Sequence, residues 1–215
     1  MNSVYDPCSC NSGEKFKFCC YKKRLQLTEN QANNQCVTLL TYQVTYEPLK
    51  NTEYPPEVIT RMNDICELIY SRPQKAVFEC LNAIKLYPKI PIFYNYLGGA
   101  YQALGDSENL KKYIYEAYTL FPDYIFARCA YAEFKMDSGE VEAIAAIFAQ
   151  KYCLKALYPL RNVFHIHEVT TFNFTMGRYF TKIGNRETAQ IYLKELEHVA
   201  PEHTSTQRLR AILNK

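Results

Sequence analysis

Residues 91–124 read PIFYNYLGGAYQALGDSENLKKYIYEAYTLFPDY, and this stretch decides the fold. Apolar residues recur at helical spacing on both sides of a Leu-Gly-Asp sequence, which predicts two amphipathic helices joined by a tight turn. Pro88 and Pro122 stand 34 residues apart, as do Ala83 and Ala117. A fixed period of this length is typical of stacked helix pairs. The sequence therefore predicts an all-α fold in which each helix pair buries an apolar face against its neighbours.

The order of side chains in this stretch resembles the tetratricopeptide repeat, a family of helical-repeat proteins. The residues that carry the resemblance are Tyr94, Leu97, Gly98, Tyr101, Ala117 and Pro122. Gly177 and Pro201 each follow their counterparts by 79 residues, which equals two periods of 34 plus an insertion of eleven. The resemblance implies a solenoid with a concave groove that binds a protein or peptide.

The repeat register divides residues 57–214 of the chain. The predicted repeats are 57–90, 91–124, 125–158 and 170–203, with an insertion at 159–169 and a capping helix at 204–214. The insertion is expected to lengthen a helix or to form a loop, and Gly98 and Gly177 to let paired helices pack closely. Residues 25–56 are expected to form a linker or irregular segment, part of which is rich in residues that favour β-strands. A hairpin, an extended segment packed on the first repeat and a linker all remain open.

The groove of such an array is formed by the first helix of each pair. The register places these partner-binding candidates there: Arg61, Asn95, Gln102, Phe126, Glu133, Phe174 and Arg178. The same face includes Val58, Ile65, Ile92, Cys129 and Thr171. Some repeats of this family bind the C-terminal carboxylate of chaperones through lysine and asparagine side chains. Ile65 and Gly99 stand at positions that such repeats fill with asparagine. The resemblance therefore favours an apolar peptide or a protein surface as the ligand.

Four cysteines lie close together at the N-terminus: Cys8, Cys10, Cys19 and Cys20. Four thiolates suit a tetrahedral structural zinc ion, which leaves no open coordination position for catalysis. Some twenty residues cannot bury a useful core, so the metal must supply the folding free energy. An iron–sulfur cluster, copper(I), a disulfide between the pairs and free thiols are the alternatives.

The stretch DPCSCNSGEKFKFCC, within residues 5–24, resembles the SEC-C motif, the zinc-binding tail of the SecA translocase ATPase that also occurs on many unrelated bacterial proteins. The resemblance implies that Cys8, Cys10, Cys19 and Cys20 bind one Zn²⁺. In SecA the motif engages the acidic chaperone SecB, and related modules are linked to ribosome contact. Asn11 and Glu14 stand where the family often has Gly and Lys.

The net charge of the chain lies within residues 1–24, the predicted zinc module. The formal charge of the whole chain is +3, and outside this module 20 basic residues balance 20 acidic ones. The module's own basic residues are Lys15, Lys17, Lys22, Lys23 and Arg24. They predict a docking surface for an acidic protein or for the ribosome or RNA, since Phe16, Phe18 and Tyr21 lie between them.

Several function classes have no support in the sequence. Hydrophobic residues make up 48% of the chain, but no apolar run approaches the roughly 18 residues of a membrane span. No secretory signal is visible, so a cytoplasmic location with reduced cysteines is expected. Cys66, Cys80, Cys129 and Cys153 fit small buried apolar residues. No phosphate loop, dinucleotide fingerprint or nucleophile elbow is present, which predicts a protein that is not an enzyme.

The leading hypothesis is a zinc-binding adaptor that joins two partners. A ribosome- or RNA-associated factor is the second, and an effector delivered into another cell and binding a host protein is the third.

The string His165-Ile-His167-Glu168 has two possible interpretations. It fits either an ordinary loop or helix or a second metal site.

Overall fold

The computed structural model describes residues 42–47 and 54–214. These residues form ten helices and two short strands, which confirms the predicted all-α class. In chain order the elements are β1 (Gln43–Thr45), α1 (Pro56–Ser71), α2 (Pro73–Leu86), α3 (Pro91–Leu104), α4 (Ser107–Leu120), α5 (Ile125–Asp137), α6 (Ala143–Ile147), α7 (Leu154–Leu157), β2 (Val163–His165), α8 (Ile166–Lys182), α9 (Arg186–Val199) and α10 (Thr204–Leu213). Helices adjacent in the chain pack on one another from α1 to α6 and again from α8 to α10. In the described ranges, no helix is both long and apolar enough to cross a membrane.

The turns inside the helix pairs follow directly from their residues. Gly105 ends α3 with a φ of 70°, a left-handed conformation that only glycine adopts readily. Asp106 then caps α4 by accepting a hydrogen bond from the backbone N–H of Asn109 at 3.1 Å. Gly184 and Asn185 repeat this arrangement between α8 and α9. The turn predicted at the Leu-Gly-Asp sequence is thus confirmed.

Prolines stop the second helix of three pairs. Each lies two positions beyond the last helical residue, where its missing N–H and fixed ring prevent the helix from continuing. These residues are Pro88 after α2, Pro122 after α4 and Pro201 after α9.

The third helix pair departs from the prediction. Instead of one long second helix, residues 138–158 contain only the short helices α6 and α7. Ala149 and Gln150 have φ values of 49° and 57°, a left-handed conformation that ends the helix. Ile144 and Phe148 remain fully buried in the core, so the segment keeps its packing role without a second long helix.

Residues 42–47 attach to the last complete helix pair, not to the first. β1 runs parallel to β2, with Thr45 opposite His165. The Tyr42 ring meets the edge of Phe164 at 4.9 Å between centroids. The Tyr46 hydroxyl donates to the carbonyl of Val199 at 2.8 Å. This part of 25–56 is therefore neither a hairpin nor a segment packed on the first repeat, and the insertion both forms β2 and lengthens α8.

The two glycines expected to permit close packing differ sharply. A Cβ added at Gly177 would lie 3.2 Å from Leu209 Cγ and 2.9 Å from Cδ1, with Cδ2 closer still. Leu209 belongs to the capping helix α10 and is fully buried. At Gly98 the nearest side-chain atom, Leu110 Cδ1, would be 3.8 Å away, an ordinary contact. Gly177 thus serves the contact of α8 with the capping helix, and Gly98 is not needed for close packing.

We expect Gly177→Ala to lower the free energy of unfolding by about 1–3 kcal/mol, because the new methyl group overpacks the contact with Leu209. The matched control is Gly98→Ala, which should be neutral or should stabilise by about 0.5–1 kcal/mol, as alanine favours a helix interior. Urea unfolding followed by the helical circular dichroism signal measures both. Equal effects of the two substitutions would contradict the packing argument.

The described cysteines divide into three environments. Cys80 and Cys129 are buried thiols, as predicted. Cys66 is exposed, so its predicted burial is wrong: it lies on the polar face of α1. Cys153 is buried but disulfide-bonded, so the prediction of a reduced thiol is wrong there. The interruption of the third pair places it in an extended backbone conformation before α7 and not inside a helix.

Candidate functional site

Two adjoining cavities lie on the face formed by the first helix of successive pairs. The larger has a volume of about 560 Å³ and is lined from α1, α3, α4, α5, α8 and α10. The smaller, of about 360 Å³, shares Asn95, Glu133 and Phe174 with it. We call the two together the groove.

Six of the seven partner-binding candidates line the groove. Asn95, Gln102, Glu133, Phe174 and Arg178 line the larger cavity, and Phe126 lines the smaller one. Arg61 lines neither cavity.

The wider set of predicted groove residues is divided. Cys129 and Thr171 line the smaller cavity. The predicted groove position is wrong for Val58 and Ile65. Both are at most 1% exposed and belong to the core between the first two helix pairs. Ile92 also packs against that core. The apolar stripe of α1 therefore faces inward, and its contribution to the groove comes from the next positions around the helix.

The uncharged end of the groove is formed by α1 and α3. Tyr70 has 87% of its surface exposed, which is unusual for so large a ring. Cys66 and Tyr96 line the wall beside it. Asn95 and Gln102 are exposed on α3, and within the described ranges no hydrogen bond occupies either carboxamide.

The charged end is built around Phe174 on α8. The guanidinium carbon of Arg178 lies 5.9 Å from the ring centroid and that of Arg208 lies 4.7 Å away, both within cation–π range. Arg178 forms ion pairs with Glu133 and with Asp137, the latter at 2.7 Å. Arg208 is exposed and forms no ion pair with the described residues. It thus presents the unpaired positive charge of this end.

The Glu133 carboxyl is subject to two opposing influences on its pKa, burial and the charge of Arg178. Burial raises the pKa of its carboxyl above the ordinary value, although the Arg178 guanidinium opposes the shift. Its Oε2 atom binds Arg178, while its buried Oε1 atom has no hydrogen bond of good geometry. Part of the acceptor capacity of this carboxylate is therefore still available.

The sequence patterns missed several groove residues, among them Cys66, Tyr70 and Arg208. The first repeat lacks the glycine that marks the register elsewhere, so Cys66 and Tyr70 carried no recognisable repeat position. Arg208 lies on the capping helix, to which the sequence assigned only the role of covering an apolar end. Exposed aromatic or cationic residues in α1 and α10 were the only available signal.

The histidine string forms the N-terminal cap of α8. His165 is the N-cap of α8, and its Nδ1 atom accepts from the backbone N–H of His167 at 3.2 Å. Glu168 completes the capping box by accepting from the backbone N–H of His165 at 2.9 Å. Within residues 42–47 and 54–214 no group of His, Cys, Asp or Glu side chains is arranged to hold a metal ion. The cap is one of the ordinary helix roles that the sequence left open for this string.

The predicted zinc ligands Cys8, Cys10, Cys19 and Cys20 lie outside the described residues, as do the basic residues of the same module.

Comparison with known proteins assigns the chain to no group: no family model matches it. No curated protein matches it either.

Proposed function

We propose that this chain is a non-enzymatic adaptor. Its repeats, a tetratricopeptide-like solenoid of three complete helix pairs, one interrupted repeat and a capping helix, hold an extended segment of one partner in the groove. Its N-terminal zinc module docks to a second partner. The observation that carries the proposal is the groove itself, where unoccupied carboxamides, an exposed tyrosine and an unpaired arginine share one face.

The carboxamides of α3 fit the backbone of an extended segment. Asn95 and Gln102 are seven residues apart, which places them about 10 Å apart along one face of the helix. An extended chain covers that distance in about three residues. Each carboxamide offers both a donor and an acceptor, so it can bond a peptide group of any sequence. The two residues therefore supply affinity that does not depend on the partner's side chains.

The two ends of the groove supply side-chain selectivity. Tyr70 offers a flat apolar surface to an aromatic or aliphatic residue at the uncharged end. Arg208 offers its charge to an acidic residue at the other end. Because the ends differ, the bound segment has a defined direction.

The zinc module supplies the second contact in this proposal. Four cysteine thiolates are the ligand set of a closed structural zinc site, and the surrounding lysines carry the charge excess of the chain. An acidic protein surface is the partner that this charge favours. The runner-up is the ribosome or RNA, favoured by aromatic residues between the lysines. Binding that falls steeply with salt concentration and needs RNA would favour the runner-up.

Selection from a random-peptide display library on the purified full chain tests the groove. We expect enriched peptides to lose about thirtyfold in affinity for the double variant Asn95→Ala/Gln102→Ala, because each of the two carboxamide bonds contributes about 1 kcal/mol. The matched control is Arg61→Ala, on the neighbouring helix but outside both cavities, which should bind the same peptides unchanged. Peptides that bind the double variant as tightly as the original chain would overturn the assignment of the groove.

A further inference from the structure

Histidines cap two helices in the same manner. His165 caps α8 through Nδ1, as described above, and His203 caps α10 by accepting at Nδ1 from the backbone N–H of Ser205 at 3.2 Å. The His167 ring lies between the two caps, at 4.8 Å from the His165 ring and 6.5 Å from the His203 ring. Three titratable rings thus cluster at the starts of α8 and α10.

Each cap depends on an unprotonated Nδ1 atom. A protonated imidazole has N–H donors at both nitrogens and cannot accept the backbone N–H. Protonation also places a positive charge at a helix N-terminus, which the helix dipole disfavours. Burial, and then the neighbouring His167, lower the pKa of both His165 and His203. The fold therefore holds the two rings in their neutral, cap-forming state.

The other charged groups around the cluster do not remove this preference. Glu168 and the backbone of Glu47 favour the charged form of His165, but burial and His167 outweigh them. The Glu168 carboxylate is already bound to Arg161 at 2.7 Å and to the backbone N–H of His165. Tyr124 at the start of α5 is neutral, since burial holds its pKa well above the ordinary value.

His165 belongs to a cap and to a strand at once. It is the last residue of β2 and lies opposite Thr45 of β1, so loss of its cap disturbs the strand pair. We propose that His165, His167 and His203 form a proton-sensitive latch, in which acid loosens the two helix caps and the hold of the repeats on β1. The latch acts on the part of the chain that leads from the N-terminal module into the repeats.

The direction of the pH effect follows from the two lowered pKa values. In the unfolded chain a histidine titrates near pH 6.5, and in the folded chain these two titrate at lower pH. At pH values between the unfolded and the folded pKa, the unfolded chain binds more protons than the folded chain. The stabilisation that the two neutral caps provide is therefore complete above about pH 6.5 and is lost as the pH falls. Mild acid is therefore the condition that opens the latch.

Hydrogen exchange of the full chain, measured by mass spectrometry at about pH 7.5 and about pH 5.5, tests the latch. After correction for intrinsic rates, we expect amides at 43–45, 165–168 and 203–206 to exchange about tenfold faster in acid, with α2 and α4 as internal references. In His165→Asn/His203→Asn the acid effect should disappear, because asparagine caps a helix at either pH. His198→Asn, at the fourth described histidine, should leave it intact.

A single substitution covers the case in which the double variant does not fold. His167→Asn removes the neighbouring ring that, after burial, lowers both pKa values, so these move closer to the unfolded value and the acid acceleration of exchange should become smaller. An acid effect that persists in the double variant, or that is absent from the original chain, would refute the latch. So would an acid effect that His167→Asn leaves undiminished. Because none of these readouts involves a peptide ligand, the latch and the groove can fail separately.

Discussion

Substitution of Arg178 by methionine is expected to lower the free energy of unfolding by about 3 kcal/mol at neutral pH, since it leaves a buried carboxylate without its partner. The Arg178 side chain is 15% exposed and that of Glu133 is 23% exposed, so water can replace little of the lost interaction. Asp137, at 63% exposed, is readily solvated and adds less. Methionine keeps most of the side-chain volume and the contact with Phe174. Urea unfolding at pH 7 measures the loss.

The same variant has a pH dependence of predictable sign. Burial already raises the pKa of Glu133, and removal of Arg178 raises it further. The folded chain then takes up a proton before the unfolded chain does, so the destabilisation should shrink as the pH falls. Adding Glu133→Gln should recover part of the loss at pH 7, because the uncompensated charge is gone.

A matched control separates this buried pair from ordinary surface electrostatics. Arg210 and Glu197 form an ion pair whose side chains are 43% and 39% exposed. Arg210→Met should therefore cost less than about 1 kcal/mol, as exposed pairs do. If Arg178→Met and Arg210→Met had equal effects, the burial of the Glu133 carboxylate would not be the cause.

The fold could be predicted from sequence where local signals agree with packing. Gly105 and Gly184 mark turns that need a left-handed residue, and Pro88, Pro122 and Pro201 mark helix ends. The 34-residue period adds the spacing between them. Such signals depend on a few neighbouring residues, so one sequence is enough to read them.

The parts that were not predicted depend on distant partners. β1 pairs with a strand 120 positions later, and nothing near Gln43 indicates that partner. The close contact at Gly177 depends on Leu209, which belongs to the capping helix. In the third pair, an apolar run read as part of a long helix ends at Ala149, where a left-handed backbone conformation redirects the chain.

The groove likewise contains residues that the sequence predicted and residues that it did not. The repeat register located Asn95, Gln102, Glu133 and Arg178 because equivalent helix positions face one side of a stack. The register could not reveal Tyr70 or Arg208, whose segments lack the repeat's marker residues. A repeat pattern thus locates the groove residues of repeats that carry its marker residues, but not those of the degenerate first repeat or of the capping helix, which supply Tyr70 and Arg208.

Replacement of both Cys19 and Cys20 by serine is expected to abolish zinc binding, from one ion per chain to none. Two thiolates cannot hold a tetrahedral site, and the serine hydroxyl is a poor substitute for a soft ligand. Structural zinc contributes about 10–16 kcal/mol to the folding of small modules, far more than some twenty residues gain by burial. The module should therefore lose both its metal and its fold.

The measurement is the zinc content of purified protein by elemental analysis, beside an unfolding curve of the repeats. Cys66→Ser is the matched control: it removes an exposed free thiol from α1 and should leave the zinc content at one. The repeats should unfold at the same urea concentration in all three proteins, because their core contains none of the four predicted ligands. A double variant that retained its zinc would exclude Cys19 and Cys20 as necessary ligands. A chain that never carried zinc would remove the metal module from the proposed adaptor and leave only the groove.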